Sequence, residues 1–231
     1  MRISVDKIYK ILLNYFGNLN WWPVDKKYHE KNNSDFRFEV IVGAILTQNT
    51  AWSNVEKALN NLKSKNFLDI KNISELKINE LKDLIKPSGF YNQKAKRLKN
   101  MALYLKNNYR GNLNDFFNRN MSVIRDELLS SDGIGPETAD SILLYAGGLS
   151  IFVVDAYTKR ICERLKLKGN ISYTEIQKYF ESELTKFYKK KELAKVYNEM
   201  HALIVFLAKT YCKKNPVCVE CPLKNYCSFK K

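Results

Sequence analysis

Apolar residues recur every three to four positions along most of this 231-residue chain, the spacing of amphipathic helices. Val5, Ile8, Ile11, Leu12 and Tyr15 define the first, and Gly17-Asn18 stop it. Trp21-Trp22-Pro23 follow in a loop. The charged stretch 24–35, His29 included, predicts a linker or exposed loop. Over 36–49 the apolar face is so wide (Phe38, Val40, Ile41, Val42, Ala44, Ile45, Leu46) that the helix is expected to be central and buried. Further helices are predicted over 52–62, 73–85, 90–109, 123–129, 139–146, 157–165, 173–187 and 193–208. Ile151-Phe152-Val153-Val154 has the composition of a strand but no partner strand, so it is expected to be a buried extended segment of an all-α protein.

The polar clusters that interrupt this pattern carry the candidate chemistry. Thr47-Gln48-Asn49-Thr50 stands where the core pattern calls for apolar residues. A helix cap followed by a new N-cap accounts for Asn49 and Thr50, and less well for Gln48. Pro87-Ser88-Gly89 breaks the chain before Phe90 and Tyr91, beside a helix start rich in Lys94, Lys96 and Arg97. Those aromatics suit either nucleic-acid contact or packing beneath the turn. In Ser131-Asp132-Gly133-Ile134-Gly135-Pro136 the two glycines permit positive φ and close backbone approach. Pro136 fits the first position of a helix whose free N–H groups bind anions. With Leu128, Leu129, Ala139 and Ile142 around it, this is the pattern of a helix-hairpin-helix, which grips phosphates without reading sequence. Asp155, 20 residues beyond Gly135, follows the apolar run and suits both an N-cap and a catalytic carboxylate. Asp140 is expected to face solvent or cap a neighbour, and His201 to serve the core of its helix.

Charge and cysteines narrow the class. Lys and Arg number 39 against 24 Asp and Glu, a net +15 spread along the chain. That suits a basic face for a phosphate backbone, or a solvated Lys-rich surface. The early charges and the lack of an 18-residue apolar run predict no secretory signal and no membrane span. Four of the five cysteines crowd the last twenty residues, which favours a reducing, intracellular setting and a metal site over disulfides. Cys212, Cys218, Cys221 and Cys227 suit zinc or an iron–sulfur cluster; the single C-x2-C knuckle tilts toward [4Fe–4S], and spacing leaves both open. Cys162 reads as a buried apolar residue.

Taken together, these elements resemble the endonuclease III superfamily of helix-hairpin-helix DNA glycosylases. The matching stretches are 46–50, 88–95, 133–139, 154–160 and the four-cysteine tail, in the family's order. The resemblance implies a two-lobed all-α fold. One domain, 1–30 with 136–231, would hold the terminal helices and cluster loop; the other, 31–135, would be a six-helix domain ending in the hairpin. It implies a monomer acting on damaged double-stranded DNA, with a [4Fe–4S] cluster on Cys212, Cys218, Cys221 and Cys227. Gly133, Ile134, Gly135 and Thr138 would hold the DNA backbone, Gln48 would plug the duplex, and Phe90 would wedge the opposite strand. Asp155 would stabilise the oxocarbenium-like sugar and orient or deprotonate water. Bifunctional members carry a strand-cleaving lysine where this chain has Glu137, and a carboxylate cannot form a Schiff base, so a monofunctional enzyme is implied. Within that branch, Trp21-Trp22-Pro23, Trp52 and the block 87–97 resemble 3-methyladenine glycosylases of endonuclease III type. Trp52 would stack on the flipped base, with Trp21, Trp22 and Pro23 around it. Two departures stand against that branch: its enzymes lack the cysteine cluster, and they carry a modified lysine where Leu203 stands. The alternatives are a related enzyme for mismatched thymine or uracil or oxidised pyrimidines, and a non-catalytic, redox-sensing DNA-binding module.

Overall fold

The computed structural model describes residues 3–167 and 172–229, and among these it is helical with no β-strand. The chain forms two compact units, Met1–Trp21 with Gly148–Lys231, and Trp22–Gly147. The divisions fall after Trp21 and after Gly147, whereas the sequence reading put them after residues 30 and 135. The second arm of the hairpin packs on the central helix of the continuous unit, which moves the later cut past it.

Helix α1 (Val5–Phe16) opens the discontinuous unit. Ser4 caps it through the Lys7 N–H, Val5, Ile8, Tyr9 and Leu12 are buried, and Gly17 ends it at φ +73°. The chain then builds the continuous unit. The stretch expected as a linker contains a short helix, α2 (Lys26–Lys31), whose buried residue is His29. One imidazole nitrogen of His29 lies 2.7 Å from Ser34 Oγ and the other 2.9 Å from Glu39 Oε2, so polar contacts replace the apolar face that would announce a helix. Helix α3 (Phe36–Leu46) is buried from Phe38 to Leu46, as its wide apolar face predicts. Then come α4 (Trp52–Ser64), α5 (Ile70–Glu75), α6 (Ile78–Ile85), α7 (Tyr91–Tyr109) and α8 (Leu113–Phe117). The predicted 73–85 helix is really α5 and α6: Leu76 and Lys77 are extended (ψ near +138°), and the break lets both pack on α7. Helices α9 (Met121–Ser130) and α10 (Pro136–Ser141) are the arms of the hairpin, and α10 runs on through a π-turn to Ala146.

The discontinuous unit resumes with α11 (Ala156–Arg164), α12 (Tyr173–Leu184) and α13 (Leu193–Thr210), with α13 packed on α1 and α11. Residues 151–154 are buried and lie outside any helix. Side chains of α12 stand in for a neighbouring strand: Glu181 accepts from the Phe152 N–H at 2.8 Å, and Gln177 donates to the Phe152 carbonyl at 2.6 Å. The Phe152 ring stacks on Phe180 at 4.5 Å. Among the described residues no helix is long and apolar enough to cross a membrane.

Candidate functional site

The hairpin turn fixes its two glycines for different reasons. Gly133 sits at φ +72°, and a Cβ there would overlap the Arg97 guanidinium. Gly135 has an ordinary φ of −90° and does not use the positive φ that glycine permits. A Cβ on it would meet nothing, so no internal packing demands glycine; its bare backbone leaves room for a ligand to approach from outside. Ile134 and Thr138 are buried anchors behind the turn, and Glu137 is exposed in the first turn of α10. Asp140 does not face solvent. It is wholly buried and receives Arg125 Nε at 2.6 Å and Nη2 at 3.2 Å, a fork that joins α9 to α10.

Gln48 is docked on this hairpin. Its amide donates to Gly133 O and Thr138 Oγ1, each at 2.9 Å, and its carbonyl accepts from Arg97 Nη1 at 2.7 Å. It therefore connects α3 to the turn and to α7, which helix capping alone would not require. Phe90 is 63% exposed in left-handed backbone, φ +46°, and does not pack beneath its turn. Such a conformation costs a bulky residue about 1–3 kcal/mol and is retained where surroundings enforce it.

Of the expected pocket aromatics, Trp22 and Trp52 meet edge to face with centroids 5.2 Å apart, and Trp22 also leans on Tyr145. The Trp22 ring lies so close to Gly43 that a Cβ there would overlap it, which explains a glycine inside the buried helix α3. Pro23 is exposed, and with Trp52 it lines an open cleft of about 780 Å³ that also carries Glu39, Glu56, Lys57 and Lys63. Trp21 is half-buried at the end of the first segment of the discontinuous unit.

In that unit Asp155 is the N-cap of α11 and is buried. Its Oδ1 accepts from Thr158 N at 2.7 Å and Thr158 Oγ1 at 2.9 Å, and its Oδ2 lies 3.7 Å from His201 Nε2. Burial alone would raise its pKa, but His201 and the Thr158 donors outweigh that and hold the carboxyl below the usual carboxylate range. The result is a buried, oriented anion. His201 is more than core filling on α13, and its separation of 46 residues from Asp155 hid this pairing from any local pattern.

Two of the four tail cysteines, Cys212 and Cys227, meet one residue, Arg164. Its guanidinium donates to Cys212 Sγ at 3.1 Å and to Lys213 O at 2.8 Å, while its carbonyl accepts from Ser228 N at 3.1 Å and faces Cys227 Sγ at 3.5 Å. Burial first, then the charges of neighbouring cysteines, push the Cys221 and Cys227 thiols up. Among the described residues no three such groups converge tightly enough to mark a metal site by geometry alone. Four soft thiol donors within electrostatic reach of one another nonetheless fit an iron–sulfur cluster in kind and number.

The all-helical fold and its helix-hairpin-helix turn are those of a class of DNA-repair protein. The chain belongs to the HhH-GPD superfamily of base excision DNA repair proteins, whose family model matches residues 42–186, and it is a DNA glycosylase. It is 47% identical, over 98% of its length and 96% of the relative's, to a Methanocaldococcus jannaschii protein provisionally described as a DNA repair glycosylase. It is 28% identical to endonuclease III of Thermotoga maritima, over 88% of each chain. Among solved structures it resembles the H. pylori 3-methyladenine DNA glycosylase bound to 1,N6-ethenoadenine, with TM-score 0.72 and 30% identity, covering 90% of this chain and 98% of that one.

Proposed function

We propose that the protein is a monofunctional glycosylase that, as a monomer on damaged duplex DNA, releases an alkylated purine, 3-methyladenine foremost. The observation that carries the hydrolytic half is Glu137, an exposed carboxylate at the hairpin position where a strand-cleaving enzyme needs an amine. Extracting the base costs a few kcal/mol, and stacking on the rings proposed to receive it, Trp52 with Trp21, Trp22 and Pro23, returns about 1–3 kcal/mol per base. Gln48 fills the space left in the duplex and Phe90 wedges the opposite strand, while the backbone from Gly133 to Gly135, with Thr138, holds the phosphates. Asp155 stabilises positive charge growing on the sugar and orients or deprotonates the attacking water. An N3-alkylated adenine is already cationic and leaves as a neutral base, so no general acid is required. Likeness to the H. pylori enzyme supports the substrate class.

Incubation with duplexes carrying 3-methyladenine, 1,N6-ethenoadenine, mismatched thymine, uracil or an oxidised pyrimidine tests the reading. Alkylpurine release without strand cleavage is expected; excision of mismatched thymine with no alkylpurine release would overturn it.

Cys212, Cys218, Cys221 and Cys227 would hold a [4Fe–4S] cluster that ties the tail into one loop through Arg164. The purified protein is then expected to be brown, with thiolate-to-iron absorption in the visible. A colourless protein holding one zinc would refute this assignment.

A further inference from the structure

Lys94, in the first turns of α7, is 1% exposed, yet it has no carboxylate within ion-pair distance among the described residues. All three ammonium protons are used: Leu46 O accepts at 2.8 Å, Thr50 Oγ1 at 2.7 Å and Ser88 O at 2.7 Å. The Phe90 ring lies 6.0 Å from the same nitrogen. The Thr50 hydroxyl in turn donates to Ser88 O and closes the circle. Burial, then the nearby Arg97 charge, pushes the Lys94 pKa down to about 8. Burying a cation against neutral oxygens is costly, and an apolar residue of similar length would fill the space without that cost.

The identity of the acceptors explains why a charge is kept. Leu46 and Thr50 flank Gln48 two residues to either side, and Ser88 stands two residues before Phe90. Leu46 O also belongs to the last turn of α3, the negative end of that helix. One ammonium therefore grips both loops expected to enter the duplex, and each loop carries a left-handed residue, Asn49 at φ +51° and Phe90 at φ +46°.

We infer that Lys94 is a positioning residue that locks the Gln48 loop and the Phe90 loop into one clasp, so that plug and wedge enter the duplex together. This rests on the duplex-filling roles proposed above for Gln48 and Phe90.

The test uses the full chain and two duplexes, one undamaged and one carrying a tetrahydrofuran abasic-site analogue opposite 2-aminopurine. Wild type is expected to prefer the abasic duplex and to brighten the 2-aminopurine, and Gln48→Ala or Phe90→Ala to weaken both effects. Lys94→Met should lower the preference on the order of tenfold, the scale of a charge-assisted hydrogen bond, and quench the brightening. Binding to undamaged duplex and its salt slope should stay the same. Adding Phe90→Ala to Lys94→Met should change little more, since the clasp acts as one unit. Full preference and brightness in Lys94→Met, or strictly additive losses, would overturn the inference. If Gln48→Ala and Phe90→Ala are both silent, the duplex-filling reading itself fails, a different outcome. Should circular dichroism show Lys94→Met unfolded, Thr50→Val and Thr50→Ser decide. Valine should lose preference and serine restore it; equal behaviour of the two would refute the clasp.

Discussion

Asp155→Asn is expected to slow base release by about 10²–10⁴-fold while leaving the protein folded. The N-cap role and the proposed catalytic role of this carboxylate separate at this substitution. Asparagine is as good a cap as aspartate, so its side-chain oxygen still accepts from the Thr158 N–H. What it loses is the negative charge beside His201 and beside the proposed site of developing positive charge on the sugar. Single-turnover release from an alkylated duplex, with affinity for the uncleavable abasic analogue as control, measures the loss. Asp155→Ala should add about 1 kcal/mol of destabilisation from the missing cap. A wild-type release rate in Asp155→Asn would remove Asp155 from the mechanism and leave it a helix cap.

Acid stability follows from the same carboxylate. Its folded pKa is depressed, so its contribution is complete above the unfolded value of about 3.9 and is lost as pH falls through the folded value. Thermal melts of Asp155→Asn should show less loss between neutral and strongly acid pH than those of the wild type.

Where burial is made of apolar side chains, the sequence carries the fold openly. Helix α3, the capped end of α1 at Gly17 and the hairpin frame all follow from spacing and from glycine. Burial made of polar pairs is silent. Helix α2 buries His29 through Ser34 and Glu39, so its sequence looks like a solvated loop. The break between α5 and α6 is hidden because the stretch is rich in Leu and Lys, both good helix formers, and Leu76 is buried at the break itself. The candidate site divides in the same way. Gln48 stands out because a glutamine interrupts an apolar face, and Phe90 because it follows Pro87-Ser88-Gly89. His201 beside Asp155, Arg125 beneath Asp140 and Lys94 between two loops are pairings across long stretches of chain, and nothing local in the sequence marks them.

Arg125→Met should be the most destabilising single change at the hairpin. Asp140 is wholly buried, and the guanidinium that reaches it is mostly so, bound through both Nε and Nη2. Removing only the cation leaves a buried carboxylate without its fork, an imbalance that costs about 3–5 kcal/mol for a fully buried pair. Arg125 is about a quarter exposed, so the low end of that range applies. At about 2–4 °C of melting temperature per kcal/mol for a chain of this size, the midpoint should fall by about 6–12 °C. The pair spans α9 and α10, so the damage lands on the turn that holds Gly133 and Gly135, and affinity for undamaged duplex should fall with it. The double substitution Arg125→Met/Asp140→Leu should recover much of the stability, because two apolar side chains of similar volume remove the stranded charge. Thermal unfolding of the two variants beside wild type is the check: a shift of under a degree in Arg125→Met, or a double variant no more stable than the single, would mean that the fork between the hairpin arms contributes little.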